Sequence, residues 1–364
     1  MKLADPGARL QSLADGIPRL GPRTVHLDLT NACNARCVTC WDHSPLLPTP
    51  RTAAWKRQQM DALVAIALLE EIHGLGGLES IILSGMGEPF LHPQIAEIIA
   101  AVKARGLHLT IITNLVAADA DQILALAVDQ LLVGIHAATL ETYSAFHPGF
   151  GRAEWQCLHT ALTRFCEAGR TFKHVHVICA ANAHELPAMI AQGARYGAAQ
   201  VNFKLASLGA GTEAVRISDE QRRRLLAEIL PDAEDEAARL GVRHNLSVLR
   251  AQLGAGGAAT AAIKDVGCWL GYDYARVTAT GIVLYCCSAE VEVGQLSVPG
   301  DFSRLWQGQV WQGLRERLAR NQFFPACQQC GKLNQNLKLA ERFAAKVGGP
   351  RWPHRETLQA KDLR

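Results

Sequence analysis

The stretch VHLDLTNACNARCVTC, residues 25–40, runs from a β-rich segment (25–30) straight into a loop that carries Cys33, Cys37 and Cys40. Comparable β-rich runs recur downstream as SIILSG (80–85), LHLTIIT (107–113), QLLVGI (130–135), HVHVIC (174–179) and QVNFKL (200–205). Amphipathic segments near 56–73, 93–105, 119–128, 152–168 and 184–196 separate them. Strand-then-helix repetition requires right-handed crossovers and a parallel sheet, so six repeats build an open doubly wound sheet or a partial barrel. Ligands bind such sheets at the carboxyl ends of the strands, which is where the cysteine loop begins.

The chain has 364 residues, 49% of them hydrophobic and 6% aromatic, with 31 glycines. This composition suits close helix-on-strand packing. Its 37 basic and 34 acidic side chains leave a net charge of +3, which argues against a nucleic-acid partner or a polybasic membrane patch. The N-terminus shows no apolar signal segment, and no apolar run approaches the ~20 residues of a membrane span. A cytoplasmic location is expected. Eleven cysteines in such a chain point to metal or redox chemistry rather than to a disulfide framework.

Domain organisation reads as an extension (1–24), a barrel (25–240), a cysteine-bearing domain (241–347) and a tail (348–364). The boundary follows a charged helix at 218–240, which interrupts the strand-and-helix pattern at Pro231, and precedes the flexible stretch LGAGGAATAA. ARVTATGIVLYCC reads as a hairpin turning at Thr280-Gly281, and helices are expected near 301–320 and 332–346.

Three thiolates in one loop need a metal. Zinc would take a fourth ligand, for which His43 is available; an iron–sulfur cluster would leave one iron open. The CxxxCxxC after the first strand resembles the signature of the radical S-adenosylmethionine (SAM) superfamily. That resemblance implies a partial (β/α)6 TIM-like barrel, a [4Fe-4S] cluster held by Cys33, Cys37 and Cys40, and SAM chelated on the open iron. It also implies reductive cleavage of SAM to a 5'-deoxyadenosyl radical and an external electron donor of the flavodoxin or ferredoxin type. The family's usual aromatic residue before the last cysteine is here Thr39, so Trp41 is the candidate for packing near the adenine. SGMGEP (84–89) resembles the family's glycine-rich GGEP stretch. There Gly85 and Gly87 admit close backbone approach and Glu88 accepts from the SAM ammonium. Asn114 resembles a position that contacts the ribose.

A second set comprises Cys268, Cys286, Cys327 and Cys330, with 12 residues between Cys268 and Gly281 and four between Gly281 and Cys286. This resembles the opening of a SPASM domain, and the cysteine count matches its shorter relative, the twitch domain, which holds one auxiliary [4Fe-4S] cluster. A zinc ribbon is the alternative. The expected fold is therefore α/β: the partial barrel followed by a small α+β iron–sulfur domain.

Cys287, Lys204 and His176 are candidate catalytic residues. Cys287 is placed on a strand and so facing away from Cys286, either as packing or as a hydrogen donor; Lys204 and His176 lie near strand ends. His136, His147 and Cys179 are nearby. The resemblance implies an oxidoreductase of the aminocyclitol dehydrogenase type, which oxidises an alcohol of a small biosynthetic substrate with the auxiliary cluster as electron acceptor. Redox-neutral epimerisation and maturation of a small peptide are alternatives. The short segment before the first strand places the maturase lower, and a non-catalytic metal module is the contrasting class.

Overall fold

The computed structural model describes residues 6–347 apart from 210, 258 and 259, so the tail at 348–364 lies outside the described residues. Six strands arise where the β-rich runs predict them: β1 (Thr24–Asp28), β2 (Ser80–Ser84), β3 (His108–Thr113), β4 (Gln130–Gly134), β5 (Lys173–Ile178) and β6 (Gln200–Leu205). They pair in parallel in the order β6-β5-β4-β3-β2-β1. Alternation sends Val25, Leu27, Ile81, Leu83, Leu109, Ile111, Leu131 and Val133 into a fully buried layer with Leu69, Ile72 and Ile98 of the crossover helices. The other parity, including His26, Asp28, Thr110, Val175, Asn202 and Lys204, faces the concave side.

The same sheet continues past β1. Tyr274–Val277 forms β7, parallel to β1, and Ile282–Leu284 (β8) and Glu292–Gln295 (β9) follow antiparallel. Gly281 turns the β7–β8 connection with φ +83°, as the expected hairpin requires. Tyr285, Trp306 and Trp311 pack into the same hydrophobic core as Val25 and Leu27, so the cysteine-bearing segment shares one core with the barrel. Charge crosses the seam between them too: Arg276 on β7 grips Asp28 on β1 through Nε and Nη2, at 3.0 and 2.7 Å to Oδ2.

The charged helix runs on through Pro231. The backbone widens into one π turn over Leu225–Ile229, with Leu230 N–H bonding the carbonyl five residues back, and the helix resumes over Leu230–Leu240 with Pro231 in its first turn. The widened turn relieves the clash and missing donor that proline brings to a regular helix. The start of LGAGGAATAA is ordered rather than flexible, because a helix Leu246–Ala255 reaches into it before Gly256 ends it. That segment covers the edge of β6: Asn245 Oδ1 accepts from Phe203 N–H at 2.7 Å, and Gln252 Oε1 accepts from Leu205 N–H at 3.1 Å.

Candidate functional site

The loops after β1, β2 and β3 interlock at the carboxyl end of the sheet. Gly87 lies flat on the backbone before Cys33, where a Cβ would collide with the carbonyls of Thr30 and Ala32. Gly85, at φ +135°, leaves no room for a side chain against the Asp28 carboxyl. Glu88 N–H then donates to Ala32 O at 2.8 Å, tying the glycine loop to the cysteine loop.

The Glu88 carboxylate, 3% exposed, accepts from Thr113 Oγ1 at 2.7 Å, Asn114 N–H at 2.8 Å and Phe90 N–H at 3.2 Å. Burial pushes it up to about 7 against those three donors. Asn114 Nδ2 in turn donates to Asn34 Oδ1, between Cys33 and Cys37, at 2.7 Å. Glu88 is therefore the internal tie of the three loops, and Asn114 is the residue it sets against the cysteine loop.

Within that loop Asp42 N–H and His43 N–H point at Cys40 Sγ, at 3.4 and 3.3 Å. Burial pushes the Cys33 thiol up to about 12 and raises Cys37 and Cys40, whose charges oppose one another. His43 is buried against Trp55, and burial lowers its pKa. Trp41 sits at the rim, 55% exposed, with its indole N–H on Ser207 O at 2.7 Å.

Strands β5 and β6 divide the remaining candidates. His176 is fully buried on the face away from the concave side, stacked on Phe203, and neither ring nitrogen has a hydrogen-bond partner among the described residues. Burial holds it neutral. The expectation that it is catalytic is corrected by strand parity: His174, His176 and Ile178 share the helix-facing side. Cys179, 1% exposed, packs with Val38 and Phe146. Lys204 has the opposite parity and faces the concave side. His136 folds back over Gly134 with φ +63°, accepting from Val177 N–H through Nδ1 at 3.0 Å. Nε2 therefore carries its proton. Its ring stacks on His147.

The second thiol group contains five cysteines. β8 ends at Leu284, so Cys286 and Cys287 lie in the loop beyond it and strand alternation does not separate them. Cys287 lies within electrostatic reach of Cys286, Cys268, Cys327 and Cys330. The neighbouring Cys286 thiol and the charges of Lys332, Lys204 and Arg276 favour the Cys287 thiolate, while Cys287 and burial push Cys286 up. The expectation that Cys287 sits on a strand is corrected: it lies in the loop beyond β8. Sequence reading also missed Lys332, deeply placed over the Tyr274 ring at 4.1 Å, and the Asp28–Arg276 pair. A carboxylate inside the buried run VHLDLT was the available signal for the latter.

Among the described residues no group of three or more His, Cys, Asp or Glu is arranged to hold a single metal ion. The fit of both thiol groups to iron–sulfur clusters rests on donor chemistry. Soft thiols are gathered out of water with backbone amides aimed at sulfur: those on Cys40, and Ser288 N–H on Cys286 Sγ at 3.4 Å.

The Radical SAM superfamily model matches residues 27–192. PqqA peptide cyclase of Methylorubrum populi is 34% identical over 193 residues, 51% of this chain and 46% of that protein. AdoMet-dependent heme synthase of Methanosarcina barkeri is 24% identical over 309 residues, 81% and 85% of the two chains. The structure of Streptococcus suis SuiB bound to S-adenosylmethionine superposes with a TM-score of 0.62 at 14% identity, over 84% of this chain and 70% of that one. The chain thus spans about half the length of the PqqA cyclase it matches. Its fold is the TIM-like partial barrel of these neighbours. Among the described residues no helix is long and apolar enough to cross a membrane.

Proposed function

We propose that the chain is a radical oxidoreductase in which Cys33, Cys37 and Cys40 hold the SAM-binding [4Fe-4S] cluster and the second thiol group holds an auxiliary one. The observation that carries this reading is the interlocked unit Cys33–Cys40, Gly85–Glu88 and Asn114, facing the concave side of the sheet. When bound and reduced by an external flavodoxin- or ferredoxin-type donor, the cluster and SAM supply a 5'-deoxyadenosyl radical that takes one hydrogen atom from the substrate.

The chain's own residues do the rest. Glu88 holds Asn114 beside the cysteine loop, and Gly85 and Gly87 let the glycine loop close against Asp28 and the backbone before Cys33. His136 offers a fixed Nε2–H, and Lys204 a positive charge, towards the concave face. The second thiol group lies on the far side of the Asp28–Arg276 pair, within the field of Lys204. An auxiliary cluster held there would supply an acceptor for the second electron, and the substrate hydroxyl would lose its proton to solvent.

Oxidation of an alcohol on a small sugar- or aminocyclitol-like substrate is the reaction this arrangement serves. Peptide modification is the second reading, favoured by the similarity to PqqA peptide cyclase. Incubating reconstituted, reduced enzyme with SAM and deuterated candidates of each class tests both. Deuterium in 5'-deoxyadenosine with a product two hydrogens lighter supports oxidation. A product of unchanged mass and inverted configuration overturns it in favour of epimerisation.

A further inference from the structure

The chain leaves β8 at Leu284 and turns, so that Cys286 and Cys287 lie in the loop beyond it rather than on opposite faces of a strand. The turn is anchored. Ser288 N–H reaches back to Cys286 Sγ at 3.4 Å, and Arg276 Nη1 donates to Cys287 O at 3.1 Å while its other nitrogens hold Asp28. Cys287 Sγ lies 3.1 Å from the point where a Cβ would stand on Gly331, directly beside Cys330. Cys268, Cys286 and Cys327 are partly buried against the main hydrophobic core, and Cys327 and Cys330 share a smaller cluster with Ile263, Val266 and Leu333. Cys287 therefore spans the gap between the β8 loop and the Cys327–Cys330 loop.

We propose that Cys287 is a fifth member of the second thiol site, able to replace Cys286 as the fourth ligand of the cluster held with Cys268, Cys327 and Cys330. This rests on the auxiliary-cluster reading above. The exchange involves no net redox change: the iron bond to Cys286 Sγ breaks, a bond to Cys287 Sγ forms, and the proton on Cys287 passes to Cys286. Lys332 keeps a positive charge beside the negative cluster whichever sulfur is bound.

The test is iron content and EPR of the full chain, anaerobically reconstituted, as wild type, Cys286→Ala, Cys287→Ala and the double variant. We expect about eight irons in wild type and in both single variants, from two cubanes, with a shifted auxiliary signal in Cys286→Ala. The double variant should fall to about four. Adding Gly331→Ala to Cys286→Ala should also cost the auxiliary irons, because the new methyl group displaces the Cys287 sulfur. In each variant the signal of the first cluster reports that the barrel has folded. Wild type at about eight irons with Cys286→Ala at about four overturns the proposal alone. Wild type at about four, all lost when Cys33, Cys37 and Cys40 are replaced, overturns the auxiliary-cluster reading together with it.

Discussion

The two thiol groups are built in opposite ways. The first comes from eight consecutive residues, Cys33 to Cys40, on a loop held by its neighbours through Glu88 and Asn114. The second gathers sulfurs from three stretches of chain, around Cys268, Cys286–Cys287 and Cys327–Cys330, and its members meet only because β7 docks beside β1 and the terminal helix folds back. A local group is positioned by its loop; a dispersed one is positioned by the whole fold. Damage to the first should therefore be chemical and contained, whereas damage to the seam should travel.

The largest effect tests that containment. Replacing Cys33, Cys37 and Cys40 together by Ala should abolish SAM cleavage and remove about half of the iron, leaving about four irons per chain in the second group. Iron analysis and 5'-deoxyadenosine formation provide the check. Loss of all iron would mean that the second group depends on the first, and the contrast between the two would fall.

Next is the seam. Arg276→Met leaves the Asp28 carboxylate buried, at 0% exposure, without its guanidinium. Breaking a buried pair from one side costs about 3–5 kcal/mol. Denaturant unfolding should register that loss, and iron should fall at the second group because Arg276 also holds Cys287 O. Pairing the change with Asp28→Asn should restore part of the stability. No recovery in the double variant would show that the pair is not what couples the two regions.

Legibility follows the same division. The six strands, the cysteine loop and the glycine loop could be read because each is a local pattern, whereas the atoms that Gly85 and Gly87 approach, on Asp28, Thr30 and Ala32, belong to another strand and its loop. The direction of His176 was also written in the sequence, since HVHVI alternates, but proximity to a strand end was given more weight than parity. What could not be read depends on contacts between distant segments. Nothing near Cys287 reveals that β8 stops three residues earlier or that Gly331 lies against its sulfur. Nothing near Pro231 reveals that the helix spends one π turn to pass it.

A smaller effect comes from the tie that holds the first group. Burial raises the Glu88 carboxyl to about 7, so the folded state binds its proton more tightly than the unfolded chain does. Stability from this group is then greatest below the unfolded pKa and is lost as pH rises from about 4.5 to about 7, by about 3 kcal/mol at most. Glu88→Gln removes that slope. Because its amide N–H₂ must face one of three donors, the variant should also loosen Asn114 and weaken SAM binding without removing the first cluster. Unfolding curves across this pH range and SAM titrations measure the two consequences separately. An unchanged slope in the variant would assign the pH dependence to another carboxyl.

The smallest effect separates the two faces of β5 and β6. His176 has both ring nitrogens buried without partners among the described residues, beside apolar neighbours that include Phe203. An unsatisfied buried polar group opposes folding, so His176→Leu, which keeps roughly the same volume, should leave stability unchanged or raise it by up to about 1 kcal/mol. SAM cleavage and iron content should match wild type, since the ring faces the helix layer and not the concave site. Lys204→Met, one strand over and of the opposite parity, should lower turnover with little cost in stability. If His176→Leu were the variant that lost activity while Lys204→Met kept it, the assignment of the concave face as the reacting face would be reversed.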